Sequence, residues 1–222
     1  MIKRGTILFI FLILSVSFIS GQEIITAAKY MELVSDTYSI NRDFEANIAI
    51  RSGSSEMAGI VSYLSPKYVR IDFSRPADQV LVFNGELLSI YLPEYRSVLN
   101  QNISETRRTG SSGMALSMLR RNYAPSFVTG PNPEPLDPGS RENIVRLRLT
   151  RTAASEPFRE IILSIDPNTY IIRRMEGTTV AGAVVRFDFT NVRLNQGIPE
   201  MRFIYDSPAS ANIYNNFMFR EE

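Results

Sequence analysis

The sequence predicts a mainly β fold (α+β): one antiparallel sheet of about ten to eleven strands curled into an incomplete barrel. Three observations carry that expectation. Apolar residues alternate with polar ones at a period of two in segment after segment, the pattern of strands with one buried face. Gly, Asn, Asp, Pro and Ser cluster between those segments, where hairpin turns belong. Helical periodicity is confined to two stretches, one near the start of the chain and one near its middle.

The first 21 of the 222 residues stand apart from this pattern. Lys3 and Arg4 precede the apolar run TILFIFLILSVSFIS, which ends in small residues at Ser20-Gly21. A charged start, an apolar core and a small-residue exit describe a secretory signal peptide over 1–21, with Gln22 as the mature start. Residues 22–222 are then expected to form a single domain, a size that one all-β unit reaches. Ile24 to Tyr38 reads as a helix, because Ala27, Met31, Val34 and Tyr38 share one face and Lys29, Glu32 and Asp36 can meet water. This N-terminal helix is expected to pack on the sheet.

Strands follow. Phe44, Ala46, Ile48 and Ile50 alternate with Glu45, Asn47 and Arg51; Ser52-Gly53-Ser54-Ser55 turns the chain, and Met57 to Leu64 returns it. Val69, Ile71 and Phe73 alternate with Tyr68, Arg70 and Asp72. After Pro76, segments 79–83 and 87–91 flank Asn84-Gly85, a pair that suits a type I′ hairpin turn. Ser97 to Ile103 reads as one more strand. Gly110-Ser111-Ser112-Gly113 leads into MALSMLRRNYAPSF, expected to supply a second, short helix. Prolines 125, 131, 133, 135 and 138 rule out a helix or central strand over 124–140 and predict a long Pro-rich loop inside the domain. Strand patterns resume at 143–152, 158–165, 170–177 and 184–194, with Asp166-Pro167-Asn168-Thr169 as a hairpin turn. Met201, Phe203 and Tyr205 suggest a last strand before Pro208.

Composition narrows the chemistry. The sequence contains no His and no Cys, so His-based triads, Cys nucleophiles and ordinary zinc sites are unavailable. It has no disulfides and no lipidated N-terminal Cys, and no phosphate-binding Gly-rich motif or nucleophile elbow is present. No metal or cofactor is expected, and no enzyme. Of 24 basic and 23 acidic residues, the leader removes two cations, so the mature charge falls to about −1. Nucleic-acid binding wants a large basic excess and is not expected. The pairs Arg107-Arg108, Arg120-Arg121 and Arg173-Arg174 are expected at the solvated surface.

The order of parts from Leu64 to Leu99 is Pro, an Arg-bearing strand, Pro, a strand, Asn-Gly, a strand ending in Tyr, and Pro93. That order resembles the periplasmic outer-membrane lipoprotein carriers of the LolA type. The second half resembles them too, through IILSIDPNTYIIRRM, VVRFDFTNVRLNQGI and MRFIYDSPASAN, so the likeness spans about Ala27 to Asn212. The resemblance departs at Ser65, before Pro66, where well-known members carry an Arg that helps hold a lid closed; Arg70 is a possible polar latch in its place.

The resemblance implies a periplasmic chaperone that shields lipoprotein acyl chains in a hydrophobic cavity and carries them from the inner to the outer membrane. Its implied partners are acylated lipoproteins as cargo, an inner-membrane exporter complex and an outer-membrane acceptor, met by a monomer. The alternative is a lipid- or lipopeptide-binding sensor, or an outer-membrane lipoprotein receptor, using the same fold. Val69, Ile71, Phe73, Val185, Phe187 and Phe189 are the candidate cavity lining. Met114, Leu116, Met118 and Leu119 are candidates for a short lid helix, with Gly110 and Gly113 as hinges and Met side chains that adapt to varied apolar partners.

Overall fold

The computed structural model describes residues 25–103 and 114–217. The expected leader at 1–21, the Gly110 and Gly113 hinges and Arg107-Arg108 lie outside the described residues. Helix α1 runs from Ala27 to Ile40, somewhat later than the periodicity indicates, because Thr26 caps it: its hydroxyl accepts from the Lys29 N–H at 3.2 Å. Tyr30, Met31 and Val34 turn one face of α1 into the core.

Among the described residues, thirteen strands make one sheet. They are β1 (Asp43–Ser52), β2 (Ser55–Leu64), β3 (Tyr68–Arg75), β4 (Ala77–Phe83), β5 (Leu87–Leu92), β6 (Ser97–Asn102), β7 (Tyr123–Phe127), β8 (Glu134–Pro135), β9 (Asn143–Arg151), β10 (Phe158–Ile165), β11 (Ile172–Thr179), β12 (Val184–Leu194) and β13 (Asn212–Asn215). The order is β13-β6-β5-β4-β3-β2-β1-β12-β11-β10-β9-β7, with β8 beside β9. The β13–β6 pair is parallel and the other pairings are antiparallel. Strand β1 stitches the two halves together, pairing β2 on one side and β12 on the other, with Ile48 opposite Phe189 and Ile50 opposite Phe187.

The strands that sequence reading does not count are the short ones. Tyr123–Phe127 forms an edge strand despite Pro125, since an edge position leaves one side of the backbone free of ladder bonds. The Met201–Tyr205 expectation is corrected. Those residues form a 3₁₀ turn, Glu200–Phe203, in which Met201 is 79% exposed and Phe203 only 1%. Alternation there would have put both on one face; Pro199 and Pro208 flank a segment that lies against β3 instead. The Asn84 turn is also corrected: Asn84 does not take positive φ, and its side-chain oxygen accepts from the N–H of Glu86 and Leu87 (3.0 and 2.8 Å). A three-residue loop, Asn84-Gly85-Glu86, closed by an Asx turn replaces the two-residue type I′ turn. At the first hairpin Ser52 pairs with Ser55, and Gly53 takes φ +57°, a position that favours Gly.

Curl is built in at Gly59. A register shift sits between Ala58 and Gly59 against β3, and a Cβ on Gly59 would lie 2.3 Å from the Asp72 carbonyl oxygen. Only Gly permits that close backbone approach beside a bulge, which bends the sheet.

Two apolar clusters fill the concave face. One joins α1 to β7, β9 and β10 through Met31, Val34, Tyr123, Leu147, Leu149, Leu163 and Ile165; the other joins β1, β2 and β3 through Ala46, Ile48, Ile50, Val61 and Phe73. The opposite face is held by charge over β9 and β11, and over β2 and β4 by a third apolar cluster in which Leu64 and Val82 pack with Phe203 of the C-terminal segment. The Pro-rich stretch crosses it as a strap: Glu134 meets Arg146, Glu142 meets Arg173, and Asp137 takes two bonds from Arg174 at 2.8 and 3.0 Å. Arg174 also reaches Asp188 at 2.5 Å and is 8% exposed, so the expectation of a solvated Arg174 is corrected. Arg120 is exposed as expected. Farther along, buried Asp43 accepts from the backbone N–H of Gln196 and Gly197 (2.6 and 3.1 Å), fixing where the C-terminal segment leaves the sheet.

Candidate functional site

Between the two apolar clusters lies a cavity of about 330 Å³. Its floor comes from the sheet: Phe44 and Ile48 of β1, Val61 and Tyr63 of β2, Val69 of β3, Leu163 of β10, Ile172 and Met175 of β11, and Phe187, Phe189 and Val192 of β12. Its cover is Tyr38 of α1 with Leu116 and Leu119 of α2 (Met114–Asn122). The register explains the convergence. Phe44 faces Tyr63 and Tyr63 faces Val69 across β1–β3, Met175 faces both Phe187 and Leu163 across β10–β12, and Ile48 opposite Phe189 joins the two rows of inward side chains.

Among the described residues the lining includes no Asp, Glu, Lys or Arg, and only two side chains in it carry an oxygen. Both are occupied. The Tyr38 hydroxyl accepts from the Ile172 N–H at 3.1 Å, and the Tyr63 hydroxyl donates to the Pro66 carbonyl at 3.1 Å. Burial pushes the Tyr38 phenol up to about 12, against the pull of the Ile172 N–H and of Arg173. Burial also raises Tyr63, while a hydrogen bond with Ser65 works the other way. The three aromatic rings form a run along one wall: Tyr38 meets Phe44 edge-on at 5.9 Å, and Phe44 stacks on Tyr63 at 5.2 Å. A space so lined can take up hydrocarbon.

Of the candidate lining residues, Val69, Phe187 and Phe189 border the cavity. Ile71, Phe73 and Val185 pack in the adjoining cluster of β1, β2 and β3. Leu116 and Leu119 border it from α2, whereas the side chains of Met114 and Met118 lie outside the described residues. Arg70 is engaged elsewhere: its guanidinium binds Asp72 (2.8 to 3.0 Å) and the Arg202 carbonyl (3.1 Å). It therefore ties the C-terminal segment to β3. Sequence reasoning does not single out Tyr38, Phe44, Tyr63, Ile172 or Val192 as lining. Phe44 and Tyr38 carry a signal in their periodicity; the others need the strand register before they can be assigned. A wider depression of about 510 Å³ lies over β1, β2, β3 and β12, but its two carboxylates, Asp72 and Asp188, are both held by arginines.

Residues 50–206 match the family model described as outer membrane lipoprotein carrier protein LolA. An outer-membrane lipoprotein carrier protein from Dechloromonas aromatica (strain RCB) is 22% identical over 184 residues, covering 82% of this chain and 84% of its own. Among solved structures, an uncharacterized conserved protein from Thermus thermophilus superposes with a TM-score of 0.56 at 14% identity, over 85% of this chain and 98% of that one. The Mycobacterium tuberculosis lipoprotein LppX gives 0.52 at 12% identity, over 78% and 97%. The Pseudomonas aeruginosa MucA/MucB complex gives 0.52 at 14%, over 85% of this chain and 63% of the matched one. At such identities the structural likeness speaks for the fold alone.

Proposed function

This chain belongs to the LolA family of outer-membrane lipoprotein carriers, proteins of transport rather than catalysis, and on that premise we propose that its cavity shields the acyl chains of lipoproteins in transit. The observation that supports this most directly is an apolar cavity with both of its hydroxyls already bonded. Such a lining favours hydrocarbon and gives a polar ligand nothing to pair with.

Energetics argue for partial burial. Three chains of about fifteen methylenes, at about 0.8 kcal/mol each, would gain ~36 kcal/mol if fully buried. Non-covalent affinities saturate near about 18–21 kcal/mol, and a carrier must also release its load. A cavity of about 330 Å³ sits at the small end of ligand pockets, which run from about 300 to 1,000 Å³. Incomplete enclosure under a short cover helix therefore suits hand-over better than full engulfment.

In this reading residues 1–21 direct export and are removed, and residues 22–222 act as one monomeric domain in the periplasm, between an inner-membrane exporter and an outer-membrane acceptor. No helix of the described residues is long and apolar enough to cross a membrane. Displacement of a fluorescent fatty acid by a triacylated lipopeptide tests the binding step directly. Saturable displacement is expected, and its absence in pure, folded protein would defeat the proposal. Depletion in the cell should leave outer-membrane lipoproteins in the inner-membrane fraction; unchanged sorting would count against a carrier role.

A further inference from the structure

We propose that the tip of the β11–β12 hairpin, Val180-Ala181-Gly182-Ala183-Val184, inserts into the surface of a lipid bilayer and brings the cavity-lining strand β12 to it. All five residues are exposed, Val180 at 60% and Val184 at 48%, and none carries a charge or a polar side chain. An exposed apolar run of this length is a fault in a soluble protein unless it is used. Three other hairpin tips differ: Gly53-Ser54, Asn84-Gly85-Glu86 and Asp166-Pro167-Asn168-Thr169 are polar or small.

The turn satisfies part of its own backbone. Thr179 N–H donates to the Ala183 carbonyl at 2.8 Å, Gly182 N–H to the Thr179 carbonyl at 3.0 Å, and Ala183 N–H to the Thr179 hydroxyl at 3.1 Å. Polar groups satisfied inside the turn cost little to take out of water. The nearest charges along the chain, Glu176 and Arg186, are paired with each other at 2.8 Å, and on the neighbouring strand exposed Arg159, beside Thr178 and Thr179, carries the sign that anionic headgroups attract.

A bilayer fits this element better than a protein does. Five small residues fall far short of the roughly 800 Å² per partner that a stable protein interface buries. The tip also lacks the Trp, Tyr and Arg side chains that anchor such interfaces. Its place in the fold gives the insertion a use: from Val184 the strand continues through Val185, packed in the apolar cluster, to Phe187 and Phe189 in the cavity. An acyl chain leaving the cavity along β12 would reach lipid with little exposure to water. This use rests on the carrier reading; the insertion itself does not.

The absence of Cys makes the test clean. An environment-sensitive dye is attached to the exported protein through Ala181→Cys, or through Asn168→Cys at the opposite end of β11. Vesicles of phosphatidylethanolamine and phosphatidylglycerol should shift the emission to the blue at 181 and leave 168 unchanged. The double variant Val180→Asp/Val184→Asp, altered at exposed positions, should lower vesicle partition about tenfold or more. Its displacement of fluorescent fatty acid should match that of the unaltered protein. An unshifted dye at 181, or equal shifts at both sites, overturns the proposal, and so does a shift that follows protein concentration without vesicles, which would mark a second copy. If fatty-acid binding fails while the tip still inserts, the carrier reading falls and this one stands.

Discussion

Tyr30 is the residue most at odds with its surroundings. Its ring is packed edge-on against Phe127 (5.8 Å) and Tyr170 (5.4 Å), and its hydroxyl is buried with no hydrogen-bond partner among the described residues. Burial, with Tyr170 and Asp166 nearby, pushes its phenol up to about 12, so the group stays neutral and simply pays for desolvation. An unmatched buried hydroxyl costs about 1–3 kcal/mol. Tyr30→Phe removes that cost while keeping the ring contacts, and the expected result is a gain of about 1 kcal/mol in urea unfolding. A loss of stability would show that the hydroxyl has a bonded partner after all. The helical spacing of Met31 and Val34 makes α1 legible in sequence, yet it cannot reveal that a tyrosine hydroxyl on the same face lacks a partner. That depends on what β7 and the β10–β11 turn bring to it.

Among the elements, the Pro-rich strap is where sequence and structure differ most usefully. Five prolines exclude a helix and a central strand, which is correct, but they do not tell where the segment lies. Its position comes from charge: Glu134, Asp137 and Glu142 each find an arginine of β9 or β11 on the convex face. Those arginines look like ordinary polar positions of alternating strands, so the pairing is invisible until the strap is laid across them. The hydrogen bonds from Arg174 hold the Asp137 carboxyl below its usual value of 3.8. A carboxylate whose pKa is depressed on folding adds stability at neutral pH and loses it as the pH falls through the folded value. Asp137→Asn is therefore expected to melt below the unaltered protein at neutral pH. The gap should close as the pH drops below 3.8. Thermal melts along a pH series check this, and a gap that persists in acid would mean that the strap is held by something other than that charge.

At the scale of the whole molecule, the sheet and its two helices are readable from alternation and turn signals, and the cavity is only half readable. Alternation identifies Val69, Phe187 and Phe189 as inward-facing, but it equally selects Ile71, Phe73 and Val185, which pack in ordinary core. What separates the two sets is position along the strands: Val69 faces Tyr63 and Phe187 faces Met175 in the cavity wall, whereas Phe73 faces Gly59 and Val185 faces Gly177, farther toward the β1–β2 hairpin end. A ligand seated in the cavity bridges both clusters, so binding and global stability are linked. An acyl ligand at a hundredfold excess over its dissociation constant should stabilise the protein by about 2.7 kcal/mol, read as a rise in melting temperature. Leu119, on the covering helix, reports whether α2 takes part in that closure. In Leu119→Glu a carboxylate must lose water when hydrocarbon fills the cavity, and acyl binding should weaken about ten- to a hundredfold at neutral pH. Because the neutral acid is easier to bury, affinity should recover as the pH falls toward and below about 4.3, the ordinary glutamate value. Leu119→Gln should show a smaller, pH-independent loss. The empty proteins should melt close to the unaltered one, since Leu119 is only half-buried without cargo. Unchanged acyl binding by Leu119→Glu, or a collapse of its melting temperature in the absence of ligand, would remove α2 from the binding site and leave it as plain core.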